Sequence, residues 1–208
     1  NYALKTFNEE FPLDTSAKVR SVERTDDGVR IRFSDADRGE ITETFDYVLA
    51  ATGRRPNVDS LDMQNADIAQ DDHGSPLFDH YTLQCGDSHI FIGGDANNEV
   101  PLLHEAADEG RIAGDNAARY PDVRAGLRRV PLGIVFTDPQ IATVGMTLKE
   151  ANERCKEGYA VGEVSFEGQG RSRVIGANKG LLHVYGERGS GLFLGAEMFG
   201  PAAEHIGH

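Results

Sequence analysis

Tyr47-Val-Leu-Ala-Ala-Thr-Gly-Arg-Arg-Pro-Asn57 and, further along, Ile90-Phe-Ile-Gly-Gly-Asp-Ala96 decide how this chain is read. Each is a short apolar run that stops on glycine beside residues able to hydrogen-bond a ligand. Apolar runs without polar alternation predict strands buried on both faces, the pattern of a parallel sheet covered by helices. In open α/β sheets ligands collect at the carboxyl ends of such strands, where glycine lets backbone approach them closely. Two such ends in one chain predict a large, extended cofactor.

Outward from these runs the chain falls into three regions. Before Tyr47, the residues Val19, Val22, Val29, Ile31, Phe33, Ile41 and Phe45 lie in short alternating runs. Asp26-Asp27-Gly28 and Asp35-Ala-Asp-Arg-Gly39 supply turns, so a small antiparallel meander is predicted, leading into a buried strand at Tyr47–Thr52. The second region, Arg54 to about Arg124, opens with loop, has room for a short strand in Ser75–Leu83, and places a second buried strand at His89–Gly93. A helix follows over Pro101–Arg119, with Pro101 suited to the first turn and Pro121 a stop. Its apolar positions Leu102, Leu103, Ala106, Ala107, Ala113 and Ala117 predict one small-residued face. Gly110 and Gly114 predict a close neighbour.

From about Leu127 the pattern is α+β. Strands are predicted at Leu132–Thr137 and Ile141–Val144 around Asp138-Pro139, and Thr147-Leu-Lys-Glu150 is a capping-box pattern opening a helix that ends near Gly158. Three β-rich runs follow at Val161–Phe166, Arg173–Tyr185 (a hairpin around Asn178-Lys-Gly180) and Leu192–Phe199. Pro201 looks like the start of a final helix.

Composition narrows the function classes. The 208 residues are 39% hydrophobic with a net charge of −13, enough apolar material for a core and the wrong sign for nucleic acid or an anionic membrane. No apolar stretch approaches the roughly 18–20 residues that span a bilayer. Cys85 and Cys155 are too far apart for a Cys-x-x-Cys pair, which fits a reducing cytoplasm. Glu204-His205-x-x-His208 has helical ligand spacing but stands alone, and no metal is assigned.

Two constellations carry chemistry. Gly93-Gly94-Asp95 ends a predicted strand with a carboxylate that accepts hydrogen bonds from sugar or polyol hydroxyls, and the helix at Leu102 turns its first amides toward electron-rich ligand atoms. The same residues also suit a strand-to-loop turn closed by an Asx bond. Thr52-Gly-Arg-Arg-Pro56 brings backbone and guanidinium toward a phosphate-bearing cofactor, or is a turn with two solvated arginines. No Gly-x-Gly-x-x-Gly occurs anywhere in the chain.

Four ordered motifs together resemble one family, the flavin-dependent pyridine nucleotide-disulfide oxidoreductases. Ala51-Thr-Gly-Arg-Arg-Pro-Asn57 is similar to the end of their pyridine-nucleotide domain, and Ile90–Ala96 to their second flavin motif. Pro101-Leu-Leu-His-Glu-Ala-Ala-Asp-Glu-Gly110 is similar to the helix beneath the isoalloxazine ring. Ile134-Val-Phe-Thr-Asp-Pro-Gln-Ile-Ala-Thr-Val-Gly145 is similar to the opening of their dimerisation domain. Leu103-His104 before Glu105-Ala-Ala-Asp-Glu109 leans toward the dihydrolipoyl dehydrogenase-like branch.

The resemblance implies an α/β plus α+β chain, the C-terminal part of a reductase with two dinucleotide-binding domains. Residues 1–55 would end the NAD(P)-binding domain, 56–126 close the FAD-binding domain and 127–208 form an incomplete dimerisation domain. It implies FAD and NAD(P) as cofactors, a homodimer, and a small dithiol or disulfide substrate or lipoyl group. The cofactor-binding set is Gly53, Arg54, Gly94, Asp95, Leu102, Leu103 and His104, with Asp95 on the ribityl chain, the Leu103 amide near the pyrimidine edge, and Gly53 with Arg54 near the nicotinamide dinucleotide. The family's redox cysteines and catalytic histidine match nothing here, so no catalytic residue is assigned. The chain alone is expected to be colourless and inactive, or to serve as a dimerisation module with empty cofactor sites.

Overall fold

A computed structural model of the chain describes residues 2–36, 38–155 and 158–208. They form two compact units, one made of the described residues within 2–52 and 134–208, the other of residues 53–133.

The first unit holds helix α1 (Tyr2–Asn8) and the meander β1 (Lys18–Thr25), β2 (Gly28–Asp35) and β3 (Gly39–Phe45), in that order and antiparallel. The alternating residues that predict it face one another in register, Val22 opposite Ile31, Phe33 opposite Ile41 and Val29 opposite Phe45. Asp35 closes the second turn by accepting the Arg38 N–H at 2.8 Å. Asp37 of the same turn lies outside the described residues.

A five-stranded sheet of order β4-β5-β8-β7-β6 follows, built from β4 (Leu132–Val135), β5 (Gln140–Gly145), β6 (Tyr159–Ser165), β7 (Leu181–Glu187) and β8 (Phe193–Gly200). Its core is Ala142, Met198 and Ala203, with Ile134, Phe166 and Leu182 packed against them. Tyr185 is fully buried on β7 and donates to Glu197 Oε2 at 2.6 Å, and the Leu148 N–H reaches the same oxygen at 3.0 Å. Burial, then the hydrogen bond to Glu197, raises the Tyr185 phenol well above its ordinary range. Helix α5 (Ala203–Gly207) is tied to β5 by Gln140, which donates to Glu204 Oε2 at 2.6 Å and accepts the Glu204 N–H at 3.1 Å.

Helix α3 (Leu148–Arg154) starts as its capping box requires. Thr147 Oγ1 accepts the Glu150 N–H at 3.2 Å and Glu150 Oε2 accepts the Thr147 N–H at 2.9 Å. The Thr147 backbone and then its hydroxyl hold the Glu150 carboxyl below its ordinary value. Thr147→Ala is expected to cost about 1 kcal/mol at neutral pH. Because the folded Glu150 pKa is depressed, the stability it contributes is present above the unfolded pKa and disappears as pH falls through the folded one. The part of the penalty that comes from the Thr147 hydroxyl's bond to Glu150 Oε2, 3.0 Å, read as a shift in denaturation midpoint, should therefore shrink in acid.

The expected hairpin over Arg173–Tyr185 is corrected. Its first arm is a short helix, α4 (Gly170–Val174), and only Leu181–Glu187 is strand. Arg171-Ser-Arg173 lacks the apolar alternation of a strand, while Gln169 Oε1 caps the Ser172 N–H at 2.6 Å. The expected short strand in Ser75–Leu83 is reduced to a single bridge between Gln70 and Pro76.

Both expected doubly buried strands also change. Tyr47–Thr52 joins no ladder, and Tyr47 and Leu49 are each 91% exposed. His89–Gly93 makes one antiparallel bridge, Gln84 with Phe91, inside a hairpin in which the Ile92 N–H reaches Leu83 O at 3.0 Å and the Cys85 N–H reaches Ile90 O at 2.9 Å. A parallel strand is completed by parallel neighbours on its edges, and among the described residues no parallel strand flanks either run. No helix of the described residues is long and apolar enough to cross a membrane.

Candidate functional site

In the unit of residues 53–133 the core is small. Val58, Leu83, Cys85 and Ile112 are its buried apolar residues. Burial raises the Cys85 thiol above its ordinary value, which makes it a poor nucleophile. Cys85 and Cys155 are both free thiols.

Helix α2 (Leu103–Arg119) organises the unit, but on a face the sequence pattern does not predict. Its buried residues are Glu105, Asp108, Glu109, Ile112 and Asn116, whereas Leu103 is 89% exposed and Ala107 and Ala117 lie on the open side. A Cβ placed on Gly110 or Gly114 would meet nothing within 4 Å, so among the described residues no neighbour presses on them. The buried polar face is satisfied from segments on either side of the helix in the chain. Asn116 donates to Thr82 O at 3.0 Å and Arg124 O at 2.8 Å and accepts the Arg124 N–H at 2.9 Å. Arg128 lies 3.0 Å from Glu109, 3.3 Å from Glu99 and 3.7 Å from Glu105, and Arg129 lies 3.4 Å from Asp108.

The close approach allowed by Gly93 and Gly94 is used by this helix. A Cβ on Gly93 would sit 3.2 Å from the Glu109 backbone carbon, and one on Gly94 would sit 3.3 Å from Ala106 Cβ, with Gly94 also at φ 76°. The Gly94 N–H donates to Glu109 Oε2 at 2.6 Å. From there the chain enters a 3₁₀ turn, Gly94–Asn97, that presents Asp95 outward.

Gly53, Arg54 and Asp95 come together. With Arg55, Pro56, Asn57, Ala96, Asn98 and Pro101 they line a cleft of about 470 Å³. Arg54 Nη1 lies 3.9 Å from Asp95 Oδ2, both side chains at least half exposed, a pair weak enough for a ligand to displace. Gly53 stands at φ 103°, which bars most side chains from that position, with open space where a Cβ would be. Leu102, Leu103 and His104 sit just beyond Pro101 at the α2 start. Leu102 is the N-cap residue in extended conformation and offers the first-turn amides no side-chain acceptor. His104 Nε2 is buried without a hydrogen-bond partner. Leu102, Leu103 and His104 are not among the residues that line the cleft.

The cleft offers a half-exposed carboxylate able to accept from hydroxyls and guanidinium groups able to meet negative charge, and the start of α2 beyond Pro101 has no side-chain cap. Of the seven residues singled out in the sequence, Gly53, Arg54 and Asp95 meet at the cleft while Gly94, Leu102, Leu103 and His104 do not line it; Glu109, Arg128 and Asn116 behind it were not singled out. Their only signal is the spacing of Glu105, Asp108, Glu109, Ile112 and Asn116 along one helical face. Among the described residues no group of three or more histidines, cysteines or carboxylates could hold a metal ion, and His205 instead lies 3.7 Å from Glu204.

Residues 4–110 match the pyridine nucleotide-disulphide oxidoreductase family and residues 132–208 match that family's dimerisation domain. A dihydrolipoyl dehydrogenase of Haloferax volcanii is 35% identical over 184 residues, covering 87% of this chain and 38% of the relative. One from Bacillus subtilis is 32% identical over 196 residues, covering 93% and 40%. The crystal structure of LpdA from Mycobacterium tuberculosis superposes with a TM-score of 0.80 at 24% identity, covering 97% of this chain and 43% of that one, which speaks to the fold alone. The chain thus spans about two fifths of the length of the relatives it matches. The matched family model reaches over more than half of the residues, and the chain belongs to the pyridine nucleotide-disulphide oxidoreductases.

Proposed function

We propose that these residues are part of a dihydrolipoyl dehydrogenase-like flavoprotein that passes electrons between a dithiol or disulfide substrate, FAD and NAD(P). The observation that carries the reading is the convergence of Gly53, Arg54 and Asp95 on one cleft at the foot of α2. Asp95 accepts hydroxyls of the flavin's polyol chain, and the uncapped first turn at Leu102, Leu103 and His104 favours electron-rich atoms near its amides. Gly53 and Arg54 serve the nicotinamide dinucleotide, Arg54 as the anion-binding group. When bound, FAD supplies the redox chemistry, while the protein's share is orientation and electrostatics.

In this reading residues 1–55 close a nucleotide domain, 56–126 belong to the flavin domain, and the sheet beyond them mates two subunits. Exposed apolar residues in that last segment, Phe136 at 77% and Phe193 at 57%, support a partner surface. Light scattering on the chain is expected to show a dimer; a monomer at every concentration contradicts it. The 208 residues alone are expected to lack disulfide reductase activity, because Cys85 is buried and neither cysteine has a partner thiol.

The flavin assignment is tested by titrating FAD into a polypeptide of the relatives' full length that carries this segment. Asp95→Ala is expected to weaken FAD about tenfold or more, the scale of hydrogen bonds to a charged group. An unchanged affinity removes Asp95 from the flavin site.

A further inference from the structure

The turn that presents Asp95 is gripped from inside the fold by a buried carboxylate. Glu109 is 1% exposed, and its Oε2 accepts both the Gly94 N–H at 2.6 Å and Asn97 Nδ2 at 2.7 Å. Gly94 and Asn97 are the two ends of the 3₁₀ turn, and Asp95 is its acidic residue. The other oxygen of Glu109 faces Arg128 Nη1 at 3.0 Å, and Arg128 is itself anchored by donating to His80 O at 3.0 Å. A carboxylate withdrawn from water is costly unless it is both paired and hydrogen-bonded, and an apolar residue fills such a place with less penalty. Packing alone therefore does not account for Glu109, whereas its bonds to both ends of one turn do. Glu109 does not line the cleft, so it acts there only through that turn.

We propose that Glu109 is a positioning residue: through Gly94 and Asn97 it holds the turn so that Asp95 meets a polyol hydroxyl already oriented, with Arg128 neutralising its charge. A turn fixed before binding has less freedom to lose when the ligand arrives. The inference rests on the reading that Asp95 binds the flavin chain.

The test is a double-mutant cycle in the flavin-loaded enzyme, reading FAD dissociation from the fluorescence of released flavin and the fold from thermal unfolding. Glu109→Gln is expected to weaken FAD about tenfold when Asp95 is present, since charge-assisted bonds are lost. In the Asp95→Ala background the same change is expected to alter affinity less than about twofold, because coupled residues are not additive. Equal weakening in both backgrounds, or none in either, overturns the positioning role. If Asp95→Ala leaves affinity untouched, the flavin reading beneath it fails instead, and the positioning role with it. Should Glu109→Gln not fold, Asn97→Ala removes one of the two arms and leaves the Glu109–Arg128 pair intact. It is expected to weaken FAD about threefold only when Asp95 is present; an additive result overturns the proposal.

Discussion

Arg128→Met is expected to destabilise the unit of residues 53–133 by about 3–5 kcal/mol, the loss found when one partner of a buried ion pair is removed. The Arg128 side chain is 14% exposed and its guanidinium faces Glu109, Glu99 and Glu105, two of them on the buried face of α2. Methionine keeps much of the volume and leaves those carboxylates without their cation. Since Glu109 is nearly inaccessible to water, the deficit falls hardest there, and the Gly94–Asn97 turn should loosen with it. Denaturant midpoints measure the loss, and Glu109→Gln should cost less in the Arg128→Met background than in the parent. A loss below about 1 kcal/mol, the range of surface pairs, shows that water reaches the carboxylates.

Gly195→Ala is expected to cost about 3 kcal/mol or more, at the upper end of overpacking penalties. Gly195 pairs with Gly145 where β5 leaves β8, and a Cβ there would lie 2.1 Å from Met146 O and 2.5 Å from Met146 N. Those are backbone atoms, so no rotamer change relieves the clash. The Met146 N–H bond to Leu194 O, 3.0 Å, must break or the two strands must part. Amide hydrogen exchange along β5 and β8 should accelerate while β1–β3 keeps its protection. Unchanged exchange in β5 and β8 contradicts the packing described for this sheet.

The elements that were legible in the sequence are those whose cause is local. The meander was readable because Val22, Ile31, Phe33 and Ile41 alternate between turn residues, and α3 because Thr147 and Glu150 sit at capping distance. The runs ending at Thr52 and Gly93 were misread because a parallel strand is defined by neighbours that no single segment contains. The buried face of α2 was misread for a related reason. Its apolar and acidic stripes are both periodic, and the choice between them depends on Arg128 and on the carbonyls that receive Asn116, all later or earlier in the chain. Gly53, Arg54 and Asp95, which line one cleft, stand out in the sequence as glycine and charge at the ends of apolar runs. What Gly93 and Gly94 accommodate, the backbone and Cβ of Glu109 and Ala106, required coordinates.

The most direct measurement is a crystal structure of the flavin-loaded enzyme that carries this segment. The Asp95 carboxylate is expected within hydrogen-bonding distance of a hydroxyl on the flavin's polyol chain, released from Arg54, with Glu109 still bonded to Gly94 and Asn97. Flavin bound elsewhere, with Asp95 still against Arg54 and the cleft filled by the protein's own side chains, contradicts the account.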